Sequence, residues 1–401
     1  MRQALKFHLI GVGGVGMSAL ATLLLRQGHV VTGADRTLTS ANIKFLRSLG
    51  IEVFPDDGSG VDADVDRVVV STAIEETNPG LAKARELSVP VVHRAAALSE
   101  ALSGRKLVAV VGTCGKSTVT AMLGHILSEC GLDPLCVNGA NVPGWEGAVR
   151  FGGGEYAVAE VDESDKSLVA FKPYAAIVTN ASADHYSKEE MDEVFDAFVK
   201  DAPGPVVDAR GEVYRPQDYN LQNASLAVRM AVRLGCGEEA AKRAMESFGG
   251  VERRLQLIGG GPGASGAFVY DDYAHNPEKI RSMWLTLAER HPQGICVIWR
   301  PHGYGPLRKL LKPLSEMFDE TIRPQDKLLL LPVYDAGGTA CRNLNSSTLA
   351  ANLDMGKVEL VDGLDAAYRW CTVHYTQFAA FVTCGARDPA LPSLAKDLHA
   401  L

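Results

Sequence analysis

The densest chemistry in the chain is Gly112-Thr113-Cys114-Gly115-Lys116-Ser117-Thr118, set between an apolar strand-like run, Lys106 to Val111, and a helix-like run beginning at 118. A glycine-bearing turn of this kind aims backbone N–H groups at phosphate oxygens, and the helix N-terminus adds positive potential. Lys116 can then neutralise phosphate charge and Ser117 can ligate Mg²⁺. The longer eight-residue phosphate-loop pattern is not met, because no glycine stands five residues before Gly115. About 45 residues on, Glu160, Asp162, Glu163 and Asp165 follow another apolar run, Tyr156–Val161, and Thr179-Asn180 with Asp184-His185 follow a third. Hard oxygen ligands at the ends of parallel strands beside a nucleotide loop suit Mg²⁺ held with ATP phosphates. Two successive strand ends thus carry possible metal ligands toward one crevice.

A second glycine turn opens the chain. Phe7–Val12 runs into Gly13-Gly14-Val15-Gly16, a helix-like Met17–Gln27, and a strand from His29 that ends at Gly33-Ala34-Asp35. Strand, glycine turn, helix, strand and acidic tip within about 30 residues is how a Rossmann-type unit begins. Such a turn fits a pyrophosphate without choosing between NAD and a UDP-sugar. An NAD oxidoreductase would leave Lys116, Glu160 and His185 unexplained.

These turns require strands and helices in alternation, and the sequence supplies three such series. The expected organisation is α/β: a Rossmann-like domain over 1–104, a phosphate-loop domain with a parallel sheet over 105–250, and a second Rossmann-like domain over 251–401. A length of 401 residues suits two or three cores. The net charge of −8 argues against a general nucleic-acid or anionic-membrane binder. The eight cysteines show no zinc-like spacing and read as reduced thiols, and no apolar run is long enough to span a membrane, which together suggest the cytoplasm.

Taken in order, Gly11-Val-Gly-Gly-Val-Gly-Met-Ser18, the phosphate loop, Glu160-Val-Asp-Glu-Ser-Asp165, Thr179-Asn180 with Asp184-His185, Tyr219-Asn-Leu-Gln-Asn-Ala224, Arg253-Arg254 and Asp271-Asp-Tyr-Ala-His-Asn-Pro277 resemble the Mur ligases. The resemblance is greatest to the branch that adds L-alanine to UDP-N-acetylmuramate, with tripeptide-recycling ligases next. It implies a UDP-sugar at Gly11, Gly13, Gly14, Gly16, Asp35, Ser71 and Arg94. It implies ATP at Gly112, Thr113, Gly115, Lys116, Ser117 and Thr118, with Ser117, Glu160 and His185 around Mg²⁺, Asn223 near adenine and Arg254 and Asp272 reaching the nucleotide. Lys116, Glu160, His185 and His275 would carry catalysis, joining an amino acid or short peptide to the sugar acid through an acyl-phosphate. A non-catalytic nucleotide-binding relative is the other reading.

Two departures stand out. Where the alanine-adding branch reads Q-P-H-R-[YF]-x-R, this chain has Arg300-Pro301-His302-Gly303-Tyr304-Gly305-Pro306, so Gly303 and Pro306 occupy the positions of the arginines expected to hold the acceptor's carboxylate; Arg300 and Arg308 are the candidate substitutes. The stretch from His185 to Asn220 is also short, which is expected to trim the central sheet and expose an edge.

Overall fold

The computed structural model describes residues 4–162, 167–181, 188–260, 266–335, 341–386 and 388–401. They form two compact units, one of residues up to 213 with 221–251, the other of 214–220 with 252–401. The first unit carries two sheets and the second carries one.

The first sheet is built from β1 (Lys6–Ile10), α1 (Val15–Arg26), β2 (Val30–Asp35), α2 (Ala41–Ser48), β3 (Glu52–Pro55), β4 (Arg67–Val70), α3 (Pro79–Glu86), β5 (Val91–His93) and α4 (Arg94–Ala101). All its strands are parallel, in the order β3-β2-β1-β4-β5. The order reverses beside β1, and the crevice outside the strand ends at that point is where α/β sheets bind ligands. Helix α1 is buried along an unbroken run from Met17 to Leu24. A helix apolar on all sides must be covered on all sides. One apolar cluster accordingly runs from Phe7, Leu9 and Leu20 to Ala109, Val111 and Ala159 of the second sheet, crossing the position expected to divide two domains.

The second sheet is built from β6 (Lys106–Val111), α5 (Lys116–Glu129), β7 (Leu135–Val137), β8 (Val149–Arg150), β9 (Tyr156–Glu160), β10 (Ala175–Val178), α6 (Lys188–Val199) and β11 (Val206–Asp208), followed by α7 (Tyr219–Arg233) and α8 (Glu238–Glu246). Its order is β11-β10-β6-β9-β7-β8, parallel except for the β7–β8 pair. The short segment after His185 therefore still delivers one edge strand, β11. Arg210 pins it, donating to Asp192, Asp196 and Asp208 at 3.1, 2.5 and 2.6 Å and so tying α6 to the strand end. The carboxylates hold the guanidinium pKa above its ordinary value, Asp208 contributing most. Arg210→Ala is expected to lower unfolding stability by about 1–2 kcal/mol, discounted because the carboxylates are part-exposed. Denaturant unfolding followed by far-UV dichroism measures it, and an unchanged midpoint would refute the assignment.

The second unit follows β12 (Gln256–Gly259) with β13 (Phe268–Asp272), α9 (Pro277–Arg290), β14 (Ile295–Trp299), α10 (Tyr304–Thr321), β15 (Lys327–Leu330), α11 (Ser346–Ala350), β16 (Val358–Leu360), α12 (Leu364–His374), β17 (Ala380–Cys384) and α13 (Leu391–His399). Its order is β12-β13-β17-β14-β15-β16, with only β12 antiparallel. The one-turn helix Pro216–Asp218 belongs here, since Gln217 O accepts from Thr286 Oγ1 of α9 at 3.2 Å. No helix among the described residues is long and apolar enough to cross a membrane.

A buried histidine makes the first unit pH-sensitive. His8 on β1 is 1% exposed, its Nδ1 lies 2.9 Å from Thr32 Oγ1, and burial pushes its pKa down to about 4 against the raising effect of Asp62. The unfolded chain takes up this proton near the ordinary 6.5 and the folded chain only near 4. Between those values the unfolded state binds more protons, so His8 removes up to about 3 kcal/mol of stability as pH falls through the window. The loss should be smaller in His8→Gln, compared by denaturant unfolding at pH 6.5 and 4. Identical losses in both proteins would contradict it.

Candidate functional site

At the carboxyl edge of the first sheet, β1 ends at Ile10 and Gly11 turns with φ +74°. Gly13 N donates to Asp35 Oδ2 at 2.8 Å, Asp35 Oδ1 accepts from Thr37 N at 2.8 Å, and Asn42 Nδ2 donates to Gly13 O at 2.8 Å. Asp35 at the tip of β2 thus braces the glycine turn from the neighbouring strand. A Cβ on Gly16 would stand 2.5 Å from Arg94 Nη1, so the first guanidinium of α4 lies directly against the turn. Ser71 follows the end of β4, the other neighbour of β1, and its carbonyl accepts from Ile74 N at 3.1 Å. A Cβ on Gly11 would meet Ile74 at 3.2 Å. Gly11, Gly13, Gly14, Gly16, Asp35, Ser71 and Arg94 therefore gather at one sheet edge, with an uncapped N-terminus of α1 at Gly14.

The second sheet repeats the arrangement with different braces. Gly112 has φ +128°, and Gly115, with φ +85°, is the N-cap of α5 and gives it no side-chain cap. The N-cap residue thus brings no side chain of its own to the first-turn N–H groups of α5, an arrangement that suits an anion site. Asn180, just beyond β10, holds the loop in shape: its Oδ1 accepts from Thr113 Oγ1 at 2.6 Å and Cys114 N at 2.9 Å, and its Nδ2 donates to Cys114 O at 3.1 Å. Thr179 Oγ1 adds a bond to Cys114 O at 2.6 Å. These side chains are committed to the loop, which explains why they are not offered as the metal ligands that their strand-end position suggests. Lys116 Nζ donates to Gly112 O at 2.7 Å and lies 3.9 Å from Asp162 Oδ1. Ser117 and Thr118 are buried in the first turn.

Glu160 is paired in register with Val110, two residues before the loop, and its Oε2 accepts from Gly139 N at 2.8 Å. Asn223 on α7 is 4% exposed and packs over Gly115, where a Cβ would stand 2.5 Å from its Oδ1; its Nδ2 has no hydrogen-bond partner among the described residues. His185, with Glu163, Asp165 and Asp184, lies outside the described residues. Among the described residues no three acidic, histidine or cysteine side chains converge on a metal position.

In the second unit the carboxyl edge of the third sheet collects Asp271, Asp272, His275 and His302. Arg253 and Leu255 both adopt positive φ, +57° and +49°, conformations that cost about 1 kcal/mol or more apiece. Arg253 holds this turn, donating to Asp271 Oδ2 at 2.9 Å and Gly385 O at 2.6 Å. The guanidinium carbons of Arg253 and Arg254 each lie 5.2 Å from the Tyr273 ring centre. Burial pushes the Asp272 carboxyl up to about 6, opposed by Arg254 and by the backbone donors Leu255 N and Ala274 N. His275 Nδ1 lies 2.9 Å from Tyr273 O, and its ring meets that of His302 edge-on at 4.9 Å. A carbonyl only accepts, so Nδ1 carries the proton of the neutral ring and Nε2 is the basic nitrogen.

The sequence carries the same signature. A sequence model described as Mur ligase family, catalytic domain, matches residues 6–106. The UDP-N-acetylmuramate–L-alanine ligase of Sinorhizobium fredii is 33% identical over 411 aligned positions, covering 86% of this chain and 86% of the relative. The chain belongs to the Mur ligase family. Among solved structures, the UDP-N-acetylmuramate-alanine ligase of Thermotoga maritima superposes with a TM-score of 0.82 at 24% identity, covering 98% of both chains. A murein peptide ligase of Psychrobacter arcticus gives 0.69 at 19% identity over 99% of both. These two likenesses speak for the fold, with its three α/β sheets.

As a Mur ligase the chain departs from the expected sequence at two positions whose own backbone suits the residues present. Gly303, the N-cap of α10, has φ +153°, which disfavours an arginine there. Pro306 sits in the first turn of α10, where a missing N–H leaves no helix bond unmade. Of the two candidate substitutes, Arg308 is tied away, donating to Cys341 O at 3.0 Å and Asn343 Oδ1 at 2.6 Å, whereas Arg300 stands at the end of β14. Two participants carried no motif of their own in the sequence, Asn42 and Gly139.

Proposed function

We propose that this Mur ligase joins L-alanine, or a similar amine acceptor, to UDP-N-acetylmuramate, using ATP through an acyl-phosphate in peptidoglycan precursor synthesis. The observation that carries the reading is the braced phosphate loop, with the uncapped N-terminus of α5 and Lys116 in its mouth. The identity to named alanine ligases across most of the chain supports the substrates.

The sugar nucleotide's pyrophosphate would lie on the glycine turn 11–16 beside Arg94, with Ser71 and Asp35 flanking it. ATP phosphates would take the loop 112–118, where Lys116 exchanges its bond to Gly112 O for phosphate oxygens. Ser117 and Glu160, with His185, would hold Mg²⁺, which when bound offsets phosphate charge. The muramoyl carboxylate oxygen attacks the γ-phosphorus and ADP leaves; the acceptor nitrogen then attacks the acyl carbon, phosphate leaves, and the nitrogen gives up a proton. His275 Nε2 is the group proposed to take that proton or orient the amine. Most of the barrier lowering is then positioning and electrostatics. By the family resemblance Asn223 would meet the adenine, and Arg254 and Asp272 would serve the nucleotide. In domain terms, residues 1–104 would hold the UDP-sugar, 105–250 ATP and 251–401 the acceptor.

The test is phosphate release from ATP and Mg²⁺ with UDP-N-acetylmuramate, across single amino acids and short peptides, with the product identified by mass. Release that requires both the sugar nucleotide and an amine is the expected result. ATP binding with no such release would favour a non-catalytic relative.

A further inference from the structure

The end of β14 carries an arginine that is fixed before any ligand arrives. Arg300 Nη1 donates to Asp388 Oδ2 at 2.6 Å, Nε donates to Pro332 O at 3.1 Å, and Cζ lies 5.5 Å from the centre of the Tyr334 ring. Asp388 is 2% exposed, and its other oxygen accepts from Ala390 N at 2.9 Å. A buried carboxylate satisfied on both oxygens is expensive to displace, so it holds the guanidinium to one orientation. Nη2 donates to no described residue.

That guanidinium lines a cleft of about 440 Å³ with Asp362, Gly363, Leu364, Asp365 and Arg369. One wall is the first turn of α12, whose N-cap Gly363 supplies no side chain, so its N–H groups and positive helix end lie in the lining. With Asp388 held against Arg300, two arginines then stand with three aspartates, and only the helix end adds positive potential. A cleft so lined is a poor trap for phosphate or nucleotide and suits a zwitterion bearing a free carboxylate. The arginine is also two residues from His302, whose ring touches His275.

We infer that Arg300, positioned by Asp388, binds the carboxylate of the amine acceptor, taking the role left open by Gly303 and Pro306; this rests on the ligase reading above. The cleft volume admits an amino acid or a short peptide, and both present the same carboxylate.

The experiment measures KM and kcat for L-alanine, L-alaninamide and alanyl dipeptides in wild type, Arg300→Gln and Arg300→Lys, with melting temperatures alongside. In wild type the amide, lacking the carboxylate, should be a poorer acceptor than the acid by roughly 30-fold in kcat/KM. Arg300→Gln should raise the acid's KM by a similar roughly 30-fold, leave kcat and the KM values of ATP and UDP-sugar within about threefold, and erase the acid-over-amide preference. Arg300→Lys should recover part of it. A dipeptide favoured over alanine, with the same dependence on Arg300, would name the peptide as the source of the carboxylate. Acid and amide used equally by wild type would overturn the inference while leaving the ligase intact, as would a uniform rise in all three KM values. Should wild type turn over no acceptor, the ligase reading itself fails. Calorimetric titration of L-alanine and the dipeptides into wild type and Arg300→Gln then decides the anchor separately: weaker binding in the variant upholds it, and equal or absent binding in both overturns it.

Discussion

Lys116→Ala is expected to lower acceptor-dependent phosphate release by at least about a thousandfold while changing UDP-sugar affinity by no more than about twofold. The side chain is 12% exposed, with its ammonium 2.7 Å from Gly112 O and 3.9 Å from Asp162, so it is already drawn into the loop mouth where phosphate oxygens would replace that carbonyl. Nothing else among the described loop side chains is cationic. Removing it leaves the N-terminus of α5 to hold the polyphosphate with N–H groups alone, which supports some binding and little stabilisation of charge on a transferring phosphoryl group. The UDP-sugar side should be spared because its turn belongs to a different sheet, braced by Asp35, Asn42 and Arg94. Steady-state release and fluorescence titration of UDP-N-acetylmuramate make the comparison. Equal loss of turnover and sugar binding would sink the assignment of separate ligands to the two glycine turns.

How much of this was readable beforehand depends on how local each determinant is. The two glycine turns were legible because a turn that must approach phosphate needs Gly within a few residues of a strand end and a helix start, and both lie within one contiguous stretch. Residues brought in from a neighbouring strand were half legible. Asp35 and Asn180 stood at recognisable strand ends, but that the first would accept from Gly13 N and the second from Cys114 N follows from parallel register, which no local pattern states. Several short strands escaped: β7, β8 and β11 have two or three residues each, too few for a period to show. The Arg300–Asp388 pair spans 88 positions and joins β14 to the turn after β17, adjacent only because the chain crosses the sheet between them. The shared core of the first two sheets was hidden for a similar reason. Met17 to Leu24 reads as an ordinary apolar helix, and only the second sheet's packing on its far side explains why it has no polar face.

The same locality argument sets up the second large effect, Gly112→Ala. At φ +128° an alanine is strained whatever surrounds it, and here its Cβ would stand 2.1 Å from Thr179 Oγ1 and 3.0 Å from both Asn180 N and Asn180 O. Thr179 cannot simply rotate away, because its hydroxyl is bonded to Cys114 O. The backbone of Asn180 cannot retreat without moving the side chain that fixes Thr113 and Cys114. Strain and overpacking together should cost about 2–4 kcal/mol, spent largely on opening the loop, with a loss of roughly a hundredfold or more in affinity for an ATP analogue. Gly104→Ala separates the two causes: its φ is +93° and its Cβ would meet nothing within 4 Å. It should lose only the strain, about 1 kcal/mol, and keep its nucleotide affinity. Gly115→Ala falls between, since the atom it meets at 2.5 Å is Oδ1 at the tip of the Asn223 side chain, which can yield. Melting temperatures and analogue titrations on the three variants should therefore rank 112 worst, 115 next and 104 mildest in nucleotide affinity. If Gly104→Ala and Gly112→Ala lost affinity alike, backbone strain alone would account for both, and the brace from Thr179 and Asn180 would not be what shapes the phosphate loop.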